Sequence, residues 1–219
     1  RETDPLGGYD PYSSSKAGAE LIINSYIKSY PGEFGSTIAS TRAGNVIGGG
    51  DWSELRLVPD CFRALMEKKP IVLRNLKSTR PWQYVLEPLS GYLLLGEKLL
   101  KGLGDYSTGW NFGPPLEETH TVLEVAEAII RYWGKGVIQI IEEQNQFHES
   151  TLLKLDCTKA RTRLDWIPTI GFEECIKFTT EWYKYNFNNA NTDVYPFSRD
   201  QIKSYQSRAT EKKCSWTLN

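Results

Sequence analysis

The chain has 219 residues, with 26 lysines and arginines against 27 aspartates and glutamates, a formal net charge of −1. That length can bury the core of one large domain or two small ones, and the near-neutral balance leaves no electrostatic footprint for nucleic acid or an anionic membrane. Four scattered cysteines without a C-x-x-C motif, and two distant histidines, His120 and His148, argue against a disulfide framework or a metal centre. With no signal peptide recognisable, reduced thiols of a cytoplasmic protein are the expectation.

Residues 1–11 are rich in Pro and Gly and read as a loop. Asp10 followed by Pro11 marks a helix start, predicted to run to about Tyr30, where Pro31-Gly32 ends it, with Leu21, Ile22, Tyr26 and Ile27 facing the core. Such a helix places Tyr12 and Lys16 one turn apart on the same face. An ammonium beside a phenol favours the phenolate, the state that general acid–base chemistry needs. The spacing by itself is also what a solvated helix face shows.

A short strand is expected over residues 36–41, closing on Arg42-Ala43-Gly44-Asn45-Val46-Ile47; helix, strand and glycine-containing loop in that order are α/β grammar, and ligands sit at the carboxyl ends of parallel strands. Gly48-Gly49-Gly50-Asp51 lacks the Gly-Lys-Ser/Thr ending of a phosphate loop and reads as a flexible turn. Leu57 to Lys69 has helical spacing, and Ile71-Val72-Leu73 is a strand. Three cations in residues 74–80 lie across a hairpin or loop, where Arg80 offers a planar fork to phosphate oxygens. The apolar run from Val85 to Leu100 is interrupted by Glu87, Pro88, Gly91 and Glu97, which suits a buried helix and not a membrane span.

A short strand at Trp110 to Pro114, an amphipathic helix from Thr121 to Trp133, a strand at Val137 to Ile141, a short helix capped by Asp156 and a last amphipathic helix from Gly171 to Phe187 follow. Beyond Asn188 the chain is polar, with Ser198-Arg199-Asp200-Gln201 fitting a capping box for one weak helix.

Tyr12-x-x-x-Lys16, Arg42-x-x-Asn45-Val46-x-Gly48, Arg80-x-Trp82-x-x-Val85, Trp110-Asn111-Phe112-Gly113 and Leu155-Asp156-x-x-Lys159-Ala160 occur in one order and spacing across residues 9–187. Together they resemble the extended short-chain dehydrogenase/reductases that act on nucleotide-diphosphate sugars. Residues 7–12, 42–52 and 80–89, and His148-Glu149 with residues 153–156, look like the subgroup that dehydrates CDP-glucose.

The resemblance implies the C-terminal part of a Rossmann-type doubly wound parallel sheet plus a smaller α/β substrate-binding domain. Residues 1–47 and 83–113 would be the remainder of the NAD-binding domain, 48–82 and 114–187 the substrate domain, and 188–219 a polar extension. Tyr12 would take the proton of the sugar C4 hydroxyl, with Lys16 holding the nicotinamide ribose of NAD. Asn45 and Arg80 would meet the substrate diphosphate, with Asn111 and Arg56 as further substrate contacts. Many relatives carry an arginine after the His-acidic pair, where this chain has Ser150-Thr151; His148 and Glu149 would serve the nucleotide instead, since a Glu149 carboxylate accepts from the cytosine amino group but not from uracil. A homodimer is expected of the full-length enzyme.

The Gly-x-x-Gly-x-x-Gly dinucleotide turn and the residues that eliminate water are not among these 219. The chain is therefore expected to be a C-terminal portion that by itself neither holds NAD tightly nor turns over. A 4-epimerase or 4-reductase of the same family is the sister reading, since Tyr12 and Lys16 serve all of these reactions. A non-catalytic piece that binds nucleotide sugar or a protein partner is the reading from another class.

Overall fold

The computed structural model describes residues 1–35, 37–141, 153–190 and 192–218. Helix α1 (Pro11–Ser29) opens as expected: the Asp10 carboxylate accepts from the Ser13 amide at 3.0 Å and from the Ser13 hydroxyl at 2.6 Å, and Pro11 takes the first turn. Its inward face is not the predicted one. No residue of α1 is buried, and Leu21, Ile22 and Tyr26 are exposed while Ile27 is half-buried. The reason is polar. Glu20 grips the Arg42 guanidinium through two oxygens at 2.5 Å and accepts from Ser40 Oγ at 3.3 Å. With about 100° of turn per residue, Glu20 facing the strands brings Ile23, Asn24 and Ile27 inward and carries Leu21, Ile22 and Tyr26 away.

Strand β1 (Ser40–Ala43) begins later than expected and is followed by β2 (Asn45–Ile47). Gly44 between them lies against Pro81, where a Cβ would come within 2.6 Å of the Pro81 carbonyl oxygen. Helix α2 (Leu57–Met66) leads to β3 (Ile71–Leu73), β4 (Thr79–Arg80) and β5 (Trp82–Tyr84). Helix α3 (Leu86–Leu100) buries Leu94 and Leu95 but leaves Leu89, Leu93 and Leu100 exposed, so the apolar run is one-sided and not buried throughout. Next come β6 (Gly109–Phe112), β7 (His120–Thr121), α4 (Val122–Trp133) and β8 (Ile138–Ile140). Thr121 closes a full capping box with Glu124, and Gly134, at φ 97°, ends α4 in the left-handed region that glycine adopts freely.

Among the described residues the strands form four pairs. Three are parallel, β1 with β6, β2 with β5 and β3 with β8; β4 with β7 is antiparallel. Helix α5 (Thr158–Arg163) starts one residue beyond the expected cap: Asp156 accepts the Thr158 amide at 2.9 Å while Cys157 holds the cap position. Helix α6 (Phe172–Asn188) packs against α4 and β5.

Two apolar clusters organise these elements. One gathers Phe62, Ile129, Ile176 and Tyr183 between α2, α4 and α6; the other gathers Trp110, Phe112, Ala160 and Trp166 around β6 and α5. Trp216 packs against both. The polar extension is thus a working part of the fold. Helix α7 (Tyr195–Glu211) begins three residues before the expected capping box, and Ser198 lies inside it, donating to the Val194 carbonyl at 3.0 Å. Gln201, Tyr205 and Ala209 are its buried side, with Gln201 Nε2 donating to the Phe178 carbonyl at 2.7 Å. The glycine turn at 48–50 is likewise pinned, since a Cβ on Gly49 would lie 2.1 Å from Trp182 Cγ.

Candidate functional site

The first turn of α1 carries the phenol and ammonium together. Lys16 Nζ lies 5.4 Å from the Tyr12 ring centroid, and Tyr12 is 70% exposed. The helical spacing that set this expectation is realised: both side chains share one face, open to a ligand.

The remaining residues lie on or beside the strands: Asn45 just past the carboxyl end of β1, Arg80 on the antiparallel β4, Asn111 within β6 and Arg56 at the start of α2. Asn45 opens β2, is half-buried, and donates its backbone amide to the Pro81 carbonyl at 3.0 Å, which brings it next to Arg80. Arg80, also half-buried, donates to the Thr79 carbonyl at 2.9 Å and stands opposite His120 across the β4–β7 pair. The His120 ring lies flat on Phe172 at 3.6 Å, and Trp82 Nε1 donates to the His120 carbonyl at 3.2 Å. Arg56 is exposed at the start of α2; burial pushes the Asp51 carboxyl up, but hydrogen bonds from Ser53, joined by the charges of Arg56 and Arg63, hold it below its ordinary range. His148 and Glu149 lie outside the described residues.

Asn111, 1% exposed on β6, donates through Nδ2 to the Asp156 carbonyl at 3.2 Å, while its Oδ1 has no hydrogen-bond partner among the described residues. Gln83 repeats that arrangement on β5. It is 4% exposed, its Nε2 donates to the Phe112 carbonyl at 3.0 Å, and its Oε1 has no hydrogen-bond partner among the described residues. A buried acceptor left unpaired costs about 1–3 kcal/mol, so each oxygen is a place where a donor from a ligand or a water is gained. Sequence reasoning missed Gln83. Its signal was a single amide in the middle of a fully buried Trp-Gln-Tyr strand.

Glu87 was missed too. It is 2% exposed at the start of α3, and its two oxygens accept the Thr169 and Ile170 amides, both at 2.8 Å. Burial pushes this carboxyl up to about 7, against the pull of those two donors and of the Tyr205 hydroxyl. In contrast, hydrogen bonds from Thr158, joined by the Arg1 guanidinium at 3.0 Å, hold Asp156 down to about 2.

A cleft of only about 10 Å³, room for one water, lies between β5 and residues 168–172, with Gln83, Glu87 and Glu118 among its walls. None of Tyr12, Lys16, Asn45, Arg56, Arg80 or Asn111 lines it. The predicted residues are therefore spread over the α1 face, the strands and the start of α2 rather than gathered in that cleft. Among the described residues no group of three or more His, Cys, Asp and Glu side chains is placed to hold a metal ion, and no helix is long and apolar enough to cross a membrane.

Comparison with known proteins matches residues 1–179 to the GDP-mannose 4,6 dehydratase family. The CDP-glucose 4,6-dehydratase of Salmonella typhimurium is 40% identical over 215 residues, covering 96% of this chain and 59% of the relative. Among solved structures, the dTDP-glucose 4,6-dehydratase of Bacillus anthracis in complex with NAD is 28% identical at a TM-score of 0.70, covering 86% of this chain and 56% of that one. The UDP-glucose 4-epimerase of Thermus thermophilus, also a complex with NAD, is 25% identical at a TM-score of 0.70, covering 84% of this chain and 57% of that one. The chain spans a little over half the length of each. The parallel strand pairs and their helices are those of a Rossmann-type α/β fold.

Proposed function

The chain belongs to the GDP-mannose 4,6 dehydratase family, and we propose that it carries the proton-transfer helix and the sugar-nucleotide side of an NAD-dependent 4,6-dehydratase acting on CDP-glucose. The observation that carries this reading is the Tyr12 phenol with the Lys16 ammonium 5.4 Å from its ring, both on one exposed helix face. Similarity to a CDP-glucose 4,6-dehydratase over 96% of the chain supports the choice of substrate.

Tyr12 Oη takes the proton of the sugar C4 hydroxyl, and Lys16, one turn further on the same face, holds the nicotinamide ribose. The two side chains fit the nicotinamide-ribose end of a dinucleotide, whereas a Gly-x-x-Gly-x-x-Gly turn for its pyrophosphate is not among these residues. Held there by Tyr12 and Lys16, NAD would supply reversible hydride chemistry for the sugar and would be recycled, not consumed. Arg80 and the neighbouring Asn45 hold the substrate diphosphate, Arg through its planar fork. Arg56 adds a cation at the start of α2. The unpaired Oδ1 of Asn111 accepts from a substrate hydroxyl.

The test is an assay of the whole enzyme with CDP-glucose, following the absorbance of the 4-keto-6-deoxy product in alkali. Turnover falling at least a hundredfold in Tyr12→Phe, with CDP-glucose binding retained, is the expected result. Wild-type activity surviving that substitution refutes the assignment. Likeness to a UDP-glucose 4-epimerase favours a second reading, 4-epimerisation through the same pair. Release of a C4-inverted hexose that keeps its C6 hydroxyl would select it.

A further inference from the structure

We propose that Trp52 is a stacking platform for the nucleobase of the substrate, with Arg56 beside it for the adjoining phosphate; the inference rests on the sugar-nucleotide reading of the site and adds a residue to it. Trp52 lies in the loop that leaves the carboxyl end of β2, seven residues after Asn45. That is the end of a parallel strand where ligands gather.

The loop is held from beneath. Arg63 donates to the Trp52 carbonyl at 3.1 Å and to the Ser53 carbonyl at 2.9 Å, the Tyr183 hydroxyl donates to the Asp51 carbonyl, and Gly49 is wedged on Trp182. Trp52 meets the Tyr183 ring edge to face at 5.1 Å and 87°. Tyr183 is itself stacked flat on Phe62 at 3.9 Å. The indole is thus fixed by packing yet remains 45% exposed. An aromatic surface that is rigid before binding loses little entropy when a base is laid on it.

Beyond Trp52 the loop becomes strained and apolar at its tip. Leu55 has φ 60° and is 94% exposed. A leucine in the left-handed region is strained, a pattern concentrated at ligand clamps. Here the conformation delivers the chain from the anchored Trp52 to Arg56 at the start of α2. One short loop therefore presents an aromatic face and a cation, which complement the base and the phosphate of a nucleoside phosphate. Stacking tolerates any base, because each has a π-face. That fits relatives that take CDP-, dTDP- and UDP-hexoses.

The experiment titrates this chain with CDP and with inorganic pyrophosphate, by calorimetry and by quenching of tryptophan fluorescence. Trp52→Ala is expected to weaken CDP binding about ten- to a hundredfold, leaving pyrophosphate binding within twofold of wild type. Trp52→Phe is expected to keep most of the CDP affinity while losing part of the quench, and it serves as the folded control should the alanine variant prove unstable. Trp52→Ala binding CDP as tightly as wild type, or Trp52→Phe keeping the full quench, overturns the stacking role and leaves the sugar-nucleotide reading intact. Wild-type chain that binds pyrophosphate but shows no preference for CDP also overturns it. Wild-type chain that binds neither refutes the reading of the site and this inference with it.

Discussion

Replacing Glu87 by Gln tests whether a buried carboxylate joins the start of α3 to the segment that leads into α6. In the folded chain each Glu87 oxygen faces one backbone amide, Thr169 or Ile170, at 2.8 Å, with the Tyr205 hydroxyl of α7 and the Lys212 charge close by. Burial raises the carboxyl from 4.5 to about 7. Below about pH 4.5 it is neutral in both folded and unfolded chains, and its full contribution to stability is present. As the pH rises, the unfolded chain releases its proton first, so stability falls until the folded group ionises near 7 and is level above that. The loss across this window is about 3 kcal/mol.

The Gln variant has no proton to release, so the window disappears. It also turns an NH₂ group towards one of the two backbone amides and loses that hydrogen bond, a cost of about 1–3 kcal/mol at every pH. The substitution is therefore clearly destabilising at pH 5, where it replaces a neutral, well-seated acid. At pH 8 it is close to neutral, where it also relieves a buried charge. Urea unfolding of both proteins at pH 5, 6, 7 and 8 measures this. Carboxyls whose pKa is lowered, such as Asp156 at about 2, lose their contributions only below the unfolded range and leave this window clear. Stability curves for wild type and variant that run parallel from pH 5 to 8 would refute the reasoning.

Two further outcomes follow from the geometry. Gly49→Ala places a methyl group 2.1 Å from Trp182 Cγ, and the indole is tethered by its Nε1 donating to Ser198 Oγ at 2.9 Å; overpacking should lower stability by about 2 kcal/mol in urea unfolding, and an unchanged midpoint would contradict the close approach. Arg80→Lys keeps the charge but removes the planar fork, so CDP-glucose affinity by calorimetry should fall about tenfold with the salt dependence retained; equal affinity would show that Arg80 acts as a point charge or not at all.

Local chemistry was legible in the sequence. Asp10-Pro11 fixed where α1 starts, and the four-residue spacing put Tyr12 and Lys16 on one face, because a helix imposes that periodicity whatever it packs against. Amphipathic spacing from Thr121 to Trp133 likewise bounded α4 to within a residue, because a helical period shows within a few turns. Which face turned inward was a different matter. Apolar content alone pointed α1 inward through Leu21 and Ile22, but the decision belonged to an ion pair between Glu20 and Arg42, 22 residues apart, which no periodicity can announce. The same holds for residues 188–219. Their polarity suggested an extension with one weak helix, yet Tyr205 and Trp216 find partners on β5 and in both apolar clusters that exist only once the chain has folded. Gln83 and Glu87 were invisible for that reason as well: a polar residue in an apolar stretch reads as an interruption until the backbone carbonyls and amides that meet it arrive from residues 29 and more than 80 positions away. Composition, caps and spacing operate over one or two turns of chain and so determined the elements and the Tyr–Lys face. Burial, partner choice and the state of a buried carboxyl depend on contacts between distant segments, and only the tertiary structure decided them.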